Sequence, residues 1–202
     1  MSIYQLKPRF QALLRPLVRR LHAAGASANQ VTLAACAMSV ALGLGLLLAD
    51  APRAAFALVP AWMFLRMAFN AVDGMLAREH GQQTALGAFL NELTDVVSDA
   101  ALYAPFALVA PFGPLGVGLV IVLAGLSEFA GALGATVGAS RRYDGPLGKS
   151  YRAFVFGALG LYVAVGGPLP QAAARLMPLL AVLVAWTVVN RIRHALDEAA
   201  AA

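Results

Sequence analysis

The stretch Asn70–Asp99, NAVDGMLAREHGQQTALGAFLNELTDVVSD, puts acids and amides inside two otherwise apolar segments joined by a short turn. Ionisable groups at membrane depth are costly and default to a functional reading. Asp73, Glu92, Asp95 and Asp99 fall close together with Asn70 and Asn91; Gly74, Gly81 and Gly87 punctuate them, and Arg78 lies between. Asn70 and Asp73 are three apart and Asn91 and Asp95 four apart, spacings that share a helix face. The polar turn Glu79–Gln83 folds the two faces together. The pattern therefore predicts a cluster of oxygen donors at one membrane boundary. Hard divalent cations such as Mg²⁺ take oxygen ligands, often a few carboxylates plus substrate phosphates. Gly74 and Gly87 leave room for a phosphate, and Arg78 can pair with its oxygens. Glu92, Asp95 and Asp99 also share a face, so Glu92 and Asp99 are candidate auxiliaries to the site.

Composition places these segments in a membrane. Of 202 residues, 60% are hydrophobic and 12% charged, with a mean hydropathy of +0.74. Soluble domains carry roughly 25% charged residues. The net charge of +5 reads as the basic cytoplasmic border of a membrane protein, with no nucleic-acid partner. Cys36 has no cysteine partner in the chain and reads as a packing residue. The first 28 residues are too polar for a secretory signal.

The expected fold is an all-α integral membrane protein with six transmembrane helices and an N-terminal amphipathic interfacial helix. Residues 1–28 carry Lys7, Arg9, Arg15, Arg19, Arg20 and His22 against Tyr4, Leu6, Phe10, Leu13, Leu14, Leu17, Val18 and Leu21 at helical spacing. Pro8 and Pro16 are expected to interrupt that helix, and Asn29 to cap the next. Residues 29–202 form the membrane domain, with spans at about Val31–Leu48, Ala54–Ala77, Leu86–Pro111, Leu115–Val137, Ala153–Val165 and Leu176–Val189. Lys7, Arg9, Arg15, Arg19, Arg20, Arg78, Arg141, Arg142, Lys149, Arg152, Arg191 and Arg193 fall on one side, and Arg53 and Arg175 on the other. Both termini are therefore expected in the cytoplasm. Arg66, inside the second span, reads as a structural partner for a carboxylate, and Glu128 as a polar tie between spans. The polar residues gather at one membrane face, which argues against a transporter, whose sites usually lie near the midplane.

The central stretch resembles the signature of the CDP-alcohol phosphatidyltransferases. That signature runs Asp, two residues, Asp-Gly, two residues, Ala-Arg, eight residues, Gly, three residues, Asp, three residues, Asp. Here every interval fits, with Asn70, Asp73-Gly74, Ala77-Arg78, Gly87, Asn91 and Asp95. The first and third aspartates are asparagines. The overall look is closest to bacterial phosphatidylglycerophosphate-synthase-like members, set in the inner membrane and usually homodimeric.

The resemblance implies a phospholipid-synthesis transferase. It would move a phosphatidyl group from CDP-diacylglycerol to an alcohol, release CMP, and depend on Mg²⁺ or Mn²⁺. Family members hold two metals on the four aspartates, and the last aspartate deprotonates the acceptor. Asp73, Asp95, Asn70 and Asn91 thus stand at metal positions, with Asp95 also the base. Gly74, Ala77, Arg78 and Gly87 would border the nucleotide and its phosphates. The basic group Arg141, Arg142, Lys149 and Arg152 would meet a phosphate-bearing acceptor such as glycerol 3-phosphate. Two other activities suit the same residues: transfer of a CDP-linked headgroup to a lipid alcohol, and binding of nucleotide lipid without turnover. The two missing charges at Asn70 and Asn91 motivate the second.

Overall fold

The computed structural model describes residues 3–201, with side chains from residue 10 onward. Met1, Ser2 and Ala202, and the side chains of Tyr4, Leu6, Lys7 and Arg9, lie outside the described residues. The described chain is all-helical. Its long helices are α1 (Ile3–Ala23), α2 (Ala28–Leu48), α3 (Leu58–Glu79), α4 (Ala85–Tyr103), α5 (Gly113–Leu133), α6 (Lys149–Val165) and α7 (Leu176–Ala201). Short 3-10 turns at Arg53–Ala57, Ala104–Leu108, Gly134–Val137 and Gln171–Arg175 lengthen their ends.

Local chemistry sets the starts of the helices that carry the central stretch. Ser27, not Asn29, caps α2: its hydroxyl accepts from Gln30 N at 3.2 Å, and Gln30 Oε1 accepts from Ser27 N at 2.9 Å. This reciprocal box satisfies two backbone donors that the first turn would leave bare, and it leaves Asn29 inside the helix. Thr84 caps α4 by accepting from Gly87 N at 2.9 Å. α1 runs unbroken through Pro8 and Pro16. Its lost backbone bonds are offset by packing, since Val18 is fully buried with Leu14 and Leu21 against Val72, Met75 and Leu76 of α3.

Four helical stretches are long and apolar enough to cross a membrane: Ala28–Leu48, Arg53–Glu79, Gly113–Val137 and Gln171–Ala201. Of the six expected, α4 and α6 fall short on these criteria. α4 carries Glu92, Asp95 and Asp99 within 19 residues, and α6 has 17 residues. Leu44, Leu65, Val122, Phe129, Leu161, Val182 and Trp186 are exposed around the outside, an apolar surface that water would penalise and lipid covers.

The main core lies at the end away from α1. Phe56, Val59, Leu102, Tyr103, Phe106, Val120, Phe156, Val163, Met177 and Val184 are buried together there. Tyr103 stacks on Phe156 at 3.8 Å between ring centroids, and Phe106 meets Phe156 edge-on at 5.2 Å. α2 packs on α3 and α4, α3 on α6, and α5 on α7. Gly43 lets α2 lie directly on the backbone of Ala101 in α4, where a side chain would not fit. These contacts leave the opposite ends of α3, α4 and α6 facing one another around a polar centre.

Candidate active site

The centre is built on α4, whose turns present Glu92, Asp95 and Asp99 inward. Each carboxylate is met by a cation from another part of the chain. Arg66 of α3 donates to Asp95 Oδ1 at 2.8 Å and to Asp99 Oδ1 at 2.6 Å. Lys149, the first residue of α6, donates to Asp95 Oδ2. Arg152 lies 3.4 Å from Asp99 Oδ2 and 2.8 Å from Glu128 Oε1. Arg191 of α7 approaches Glu128 Oε2 at 3.3 Å. Arg141 bonds Glu92 at 2.5 Å, approaches Glu128 at 3.4 Å and lies over the Tyr143 ring at 4.3 Å. Arg66, Asp99, Glu128, Arg152 and Arg191 are all buried. Charges taken out of water need this pairing, because removing one partner strands the other.

Asp73 stands apart from the network. It is buried, and its Oδ2 accepts from the Thr32 hydroxyl of α2 at 2.7 Å. It lines a cavity of about 420 Å³ with Gly74, Ala77, Arg78, Gly87, Asn91 and Glu92. Thus the sequence-derived nucleotide residues share one wall. The two glycines keep the cavity open. A Cβ on Gly74 would come within 2.9 Å of the Arg78 guanidinium, and one on Gly87 within 2.8 Å of Asn29 Oδ1 and 3.0 Å of Thr84 Oγ1.

A second cavity of about 300 Å³ is lined by Asn70, Asn91, Asp95, Glu128, Arg141, Lys149 and Arg191. An apolar groove of about 740 Å³ runs from it between α3 and α6, along Met63, Phe64, Met67, Phe154 and Leu161, with Asn70 and Lys149 at its polar end. Asn91 therefore borders the first two cavities, and Asn70 and Lys149 border the last two. Three compartments of different chemistry meet around Asn70, Asn91, Asp95 and Lys149.

The structure separates residues that the sequence grouped. Of the basic set, Arg141 and Lys149 line the second cavity, whereas Arg152 is buried beneath it on Asp99 and Glu128. Arg142 turns outward to Asp144 at 2.7 Å and to Glu198. The Arg142 hydrogen bond, with help from His194, holds the Asp144 carboxyl down at about 2 despite partial burial. Asp99 lines neither large cavity, because Arg66 and Arg152 take both of its oxygens. The structure also adds residues that sequence reasoning passed over: Asn29, Thr32, Gln82 and Thr84 in the first cavity, and Arg191 in the second. Gln82 Oε1 accepts from Ala28 N at 2.7 Å, fastening the α3–α4 turn to the start of α2. Nothing in the local pattern marks Thr32. Arg191 was visible only as a basic residue at a span end.

The donor set toward a cation is all oxygen, as a hard divalent ion requires. Asp73 has one oxygen free of Thr32, Asn91 lines the same cavity, and Asn70 lines the adjoining one with Asn91. These residues suit one such ion. Among the described residues, no group of three or more His, Cys, Asp or Glu side chains is arranged to hold a metal.

Comparison with known proteins gives consistent matches. The family model for CDP-alcohol phosphatidyltransferase matches residues 26–191. The chain is 47% identical over 196 residues to inner membrane protein YnbA of Escherichia coli (strain K12), with 97% of each chain covered. It is 30% identical over 163 residues to archaetidylinositol phosphate synthase of Aeropyrum pernix, covering 73% of this chain and 79% of that one. Its fold is similar to Mycobacterium tuberculosis phosphatidylinositol phosphate synthase (PgsA1) with CDP-DAG bound, at TM-score 0.73 and 26% identity, covering 89% of this chain and 92% of that one. The same protein in complex with manganese and citrate matches at TM-score 0.72 and 26% identity, covering 89% of this chain and 87% of that one.

Proposed function

From the CDP-alcohol phosphatidyltransferase family, to which this chain belongs as a membrane transferase of phospholipid synthesis, we propose that it moves a phosphatidyl group from CDP-diacylglycerol to a phosphate-bearing alcohol. The observation that carries this is that three compartments adjoin through Asn70, Asn91 and Lys149, with Asp95 lining the middle one. The cavity at Asp73 and Arg78 suits a nucleotide and its pyrophosphate, the groove between α3 and α6 suits acyl chains, and the cavity at Arg141, Lys149 and Arg191 suits an anionic acceptor. CDP-diacylglycerol needs the first two at once, with its lipid-bearing phosphorus between them. The manganese in the PgsA1 structure supports a divalent-metal requirement, met by Mg²⁺ or Mn²⁺ at Asp73 with the Asn70 and Asn91 carbonyls. Such an ion supplies neutralisation of phosphate charge.

Asp95 is the base. Arg66 fixes its Oδ1. Its Oδ2 accepts from Lys149 and has a second lone pair for the acceptor hydroxyl. The acceptor oxygen, losing its proton to Oδ2, bonds to the lipid-bearing phosphorus. The bond from that phosphorus to the bridging oxygen breaks, and CMP leaves with that oxygen. Arg78 holds the departing phosphate. Arg141 and Arg191 orient the acceptor, glycerol 3-phosphate being the simplest candidate. Positioning and charge do most of this work.

The same reading sets α1 on the membrane surface and α2–α7 as six spans, with α4 and α6 crossing because their charges are paired inside. It divides the chain into a juxtamembrane segment, 1–28, and the membrane domain, 29–202. Both termini and the site face the cytoplasm of a bacterium, in the inner membrane, and a homodimer is the expected assembly. The test is exchange of labelled CMP into CDP-diacylglycerol by purified protein, with glycerol 3-phosphate, inositol phosphate and serine as added acceptors. Exchange lost on chelation, and reduced about 10²–10⁴-fold in Asp95→Asn, is expected for a lost general base. An unchanged rate in Asp95→Asn would exclude Asp95 from that role.

A further inference from the structure

The fate of the second metal position is written in the charges around Asp95. A site for two divalent ions must offset four positive charges with carboxylates and substrate phosphates. This chain supplies two carboxylates, Asp73 and Asp95, because Asn70 and Asn91 are neutral. Asp95 is already covered on both oxygens, Oδ1 by Arg66 at 2.8 Å and Oδ2 by Lys149. Arg66 has no freedom to withdraw, since its other nitrogen is bound to Asp99 at 2.6 Å in a buried pair. A divalent ion on Asp95 would therefore sit against a fixed guanidinium, and the nearby carboxylates Glu92 and Glu128 are already paired with Arg141, Arg152 and Arg191. Asp73 is different. Among the described residues its only side-chain hydrogen-bond partner is the neutral Thr32 hydroxyl, so it can take a cation without displacing one.

Lys149 occupies the place such a second ion would need. Its ammonium touches Asp95, and its side chain borders both the basic cavity and the polar end of the apolar groove. Any phosphate at the mouth of that groove lies beside it. Its backbone position is set by the fold, because Gly148–Lys149 opens α6 and the preceding loop is pinned where Leu147 N donates to Thr187 Oγ1 at 3.0 Å.

We propose that this site takes a single divalent cation, anchored on Asp73, and that the tethered ammonium of Lys149 stands at Asp95 in place of a second. The proposal rests on the transferase reading above. It makes the two asparagines part of a working site: with two carboxylate charges fewer at positions 70 and 91, the site is better balanced by the single positive charge of a lysine at Asp95 than by the two of a second divalent ion.

The experiment is Mn²⁺ titration of the purified full chain with CDP present, read by electron paramagnetic resonance, alongside the CMP-exchange assay. The expected result is one bound Mn²⁺ per chain with an uncoupled spectrum. The variant Asn70→Asp/Asn91→Asp/Lys149→Gln should rise to two bound Mn²⁺ with spin coupling between them. Because that variant carries three changes in the site, the wild-type count stands as an independent test. Two Mn²⁺ per wild-type chain, with exchange intact, would overturn the single-cation proposal and leave the transferase reading in place. No Mn²⁺ bound and no exchange would overturn both.

Discussion

Replacing Arg66 by Met removes the guanidinium that joins Asp95 to Asp99 while keeping an unbranched side chain of similar length. Arg66 and Asp99 have side chains 5% and 6% exposed, so the lost contact is not made good by solvent. Asp95 keeps Lys149, but Asp99 is left with Arg152 at 3.4 Å, an arginine shared with Glu128. Stranding a buried carboxylate costs about 3–5 kcal/mol. For a chain of this size each kcal/mol shifts the thermal midpoint by roughly 2–4 °C, so a loss of about 6–20 °C is expected. Asp99→Asn in the same background removes the stranded charge. The double variant should therefore be more stable than the sum of the singles predicts, by about 1–3 kcal/mol. The assay is the thermal midpoint of each detergent-solubilised variant, followed by size-exclusion recovery, as a double-mutant cycle. Strictly additive singles would refute the account of Arg66 as the partner of Asp99. Arg66→Lys is not a conservative control, because one ammonium lacks the fork that reaches two carboxylates.

Gly87→Ala should push the Asn29 side chain, 2.8 Å from the new Cβ, into the first cavity. The helix itself gains from alanine by up to ~1 kcal/mol, so the thermal midpoint should hold or rise while the KM for CDP-diacylglycerol rises several-fold. An unchanged KM would show that this wall does not meet the donor. Arg141→Gln should raise the KM for a phosphate-bearing acceptor and leave that for the donor unchanged, which steady-state kinetics in both substrates would check. Asp144, held down at about 2 by Arg142, contributes stability that is present above its unfolded value near ~3.9 and is lost as pH falls through the folded one. The stability gap between wild type and Asp144→Asn should close between about pH 4 and pH 2, and a gap independent of pH would refute the pairing.

What was legible in the sequence follows from local spacing. Asn70 with Asp73, and Asn91 with Asp95, announced their shared faces because a helix places residues three and four apart together. Gly74, Ala77, Arg78 and Gly87 fell at motif spacing and line one cavity together. Hydropathy marked α2, α3, α5 and α7 as stretches able to cross a membrane. α4 and α6 do not meet the same measure on their own. The acids of α4 are paired with Arg66, Arg141, Lys149 and Arg152, partners up to 54 residues away that no local hydropathy window contains.

Which cation meets which carboxylate is decided by helix packing alone. The sequence offered Arg141, Arg142, Lys149 and Arg152 as one basic group. Their divergence comes from the loop before α6: it turns Arg142 out to Asp144, leaves Arg141 and Lys149 in the second cavity, and buries Arg152. Arg191 joins them from α7, and Thr32 reaches Asp73 from α2. Spacing within a helix is a property of the local chain and can be read from it. Contacts between helices depend on how whole faces pack, and at this site that packing determines which charges remain free to meet a ligand.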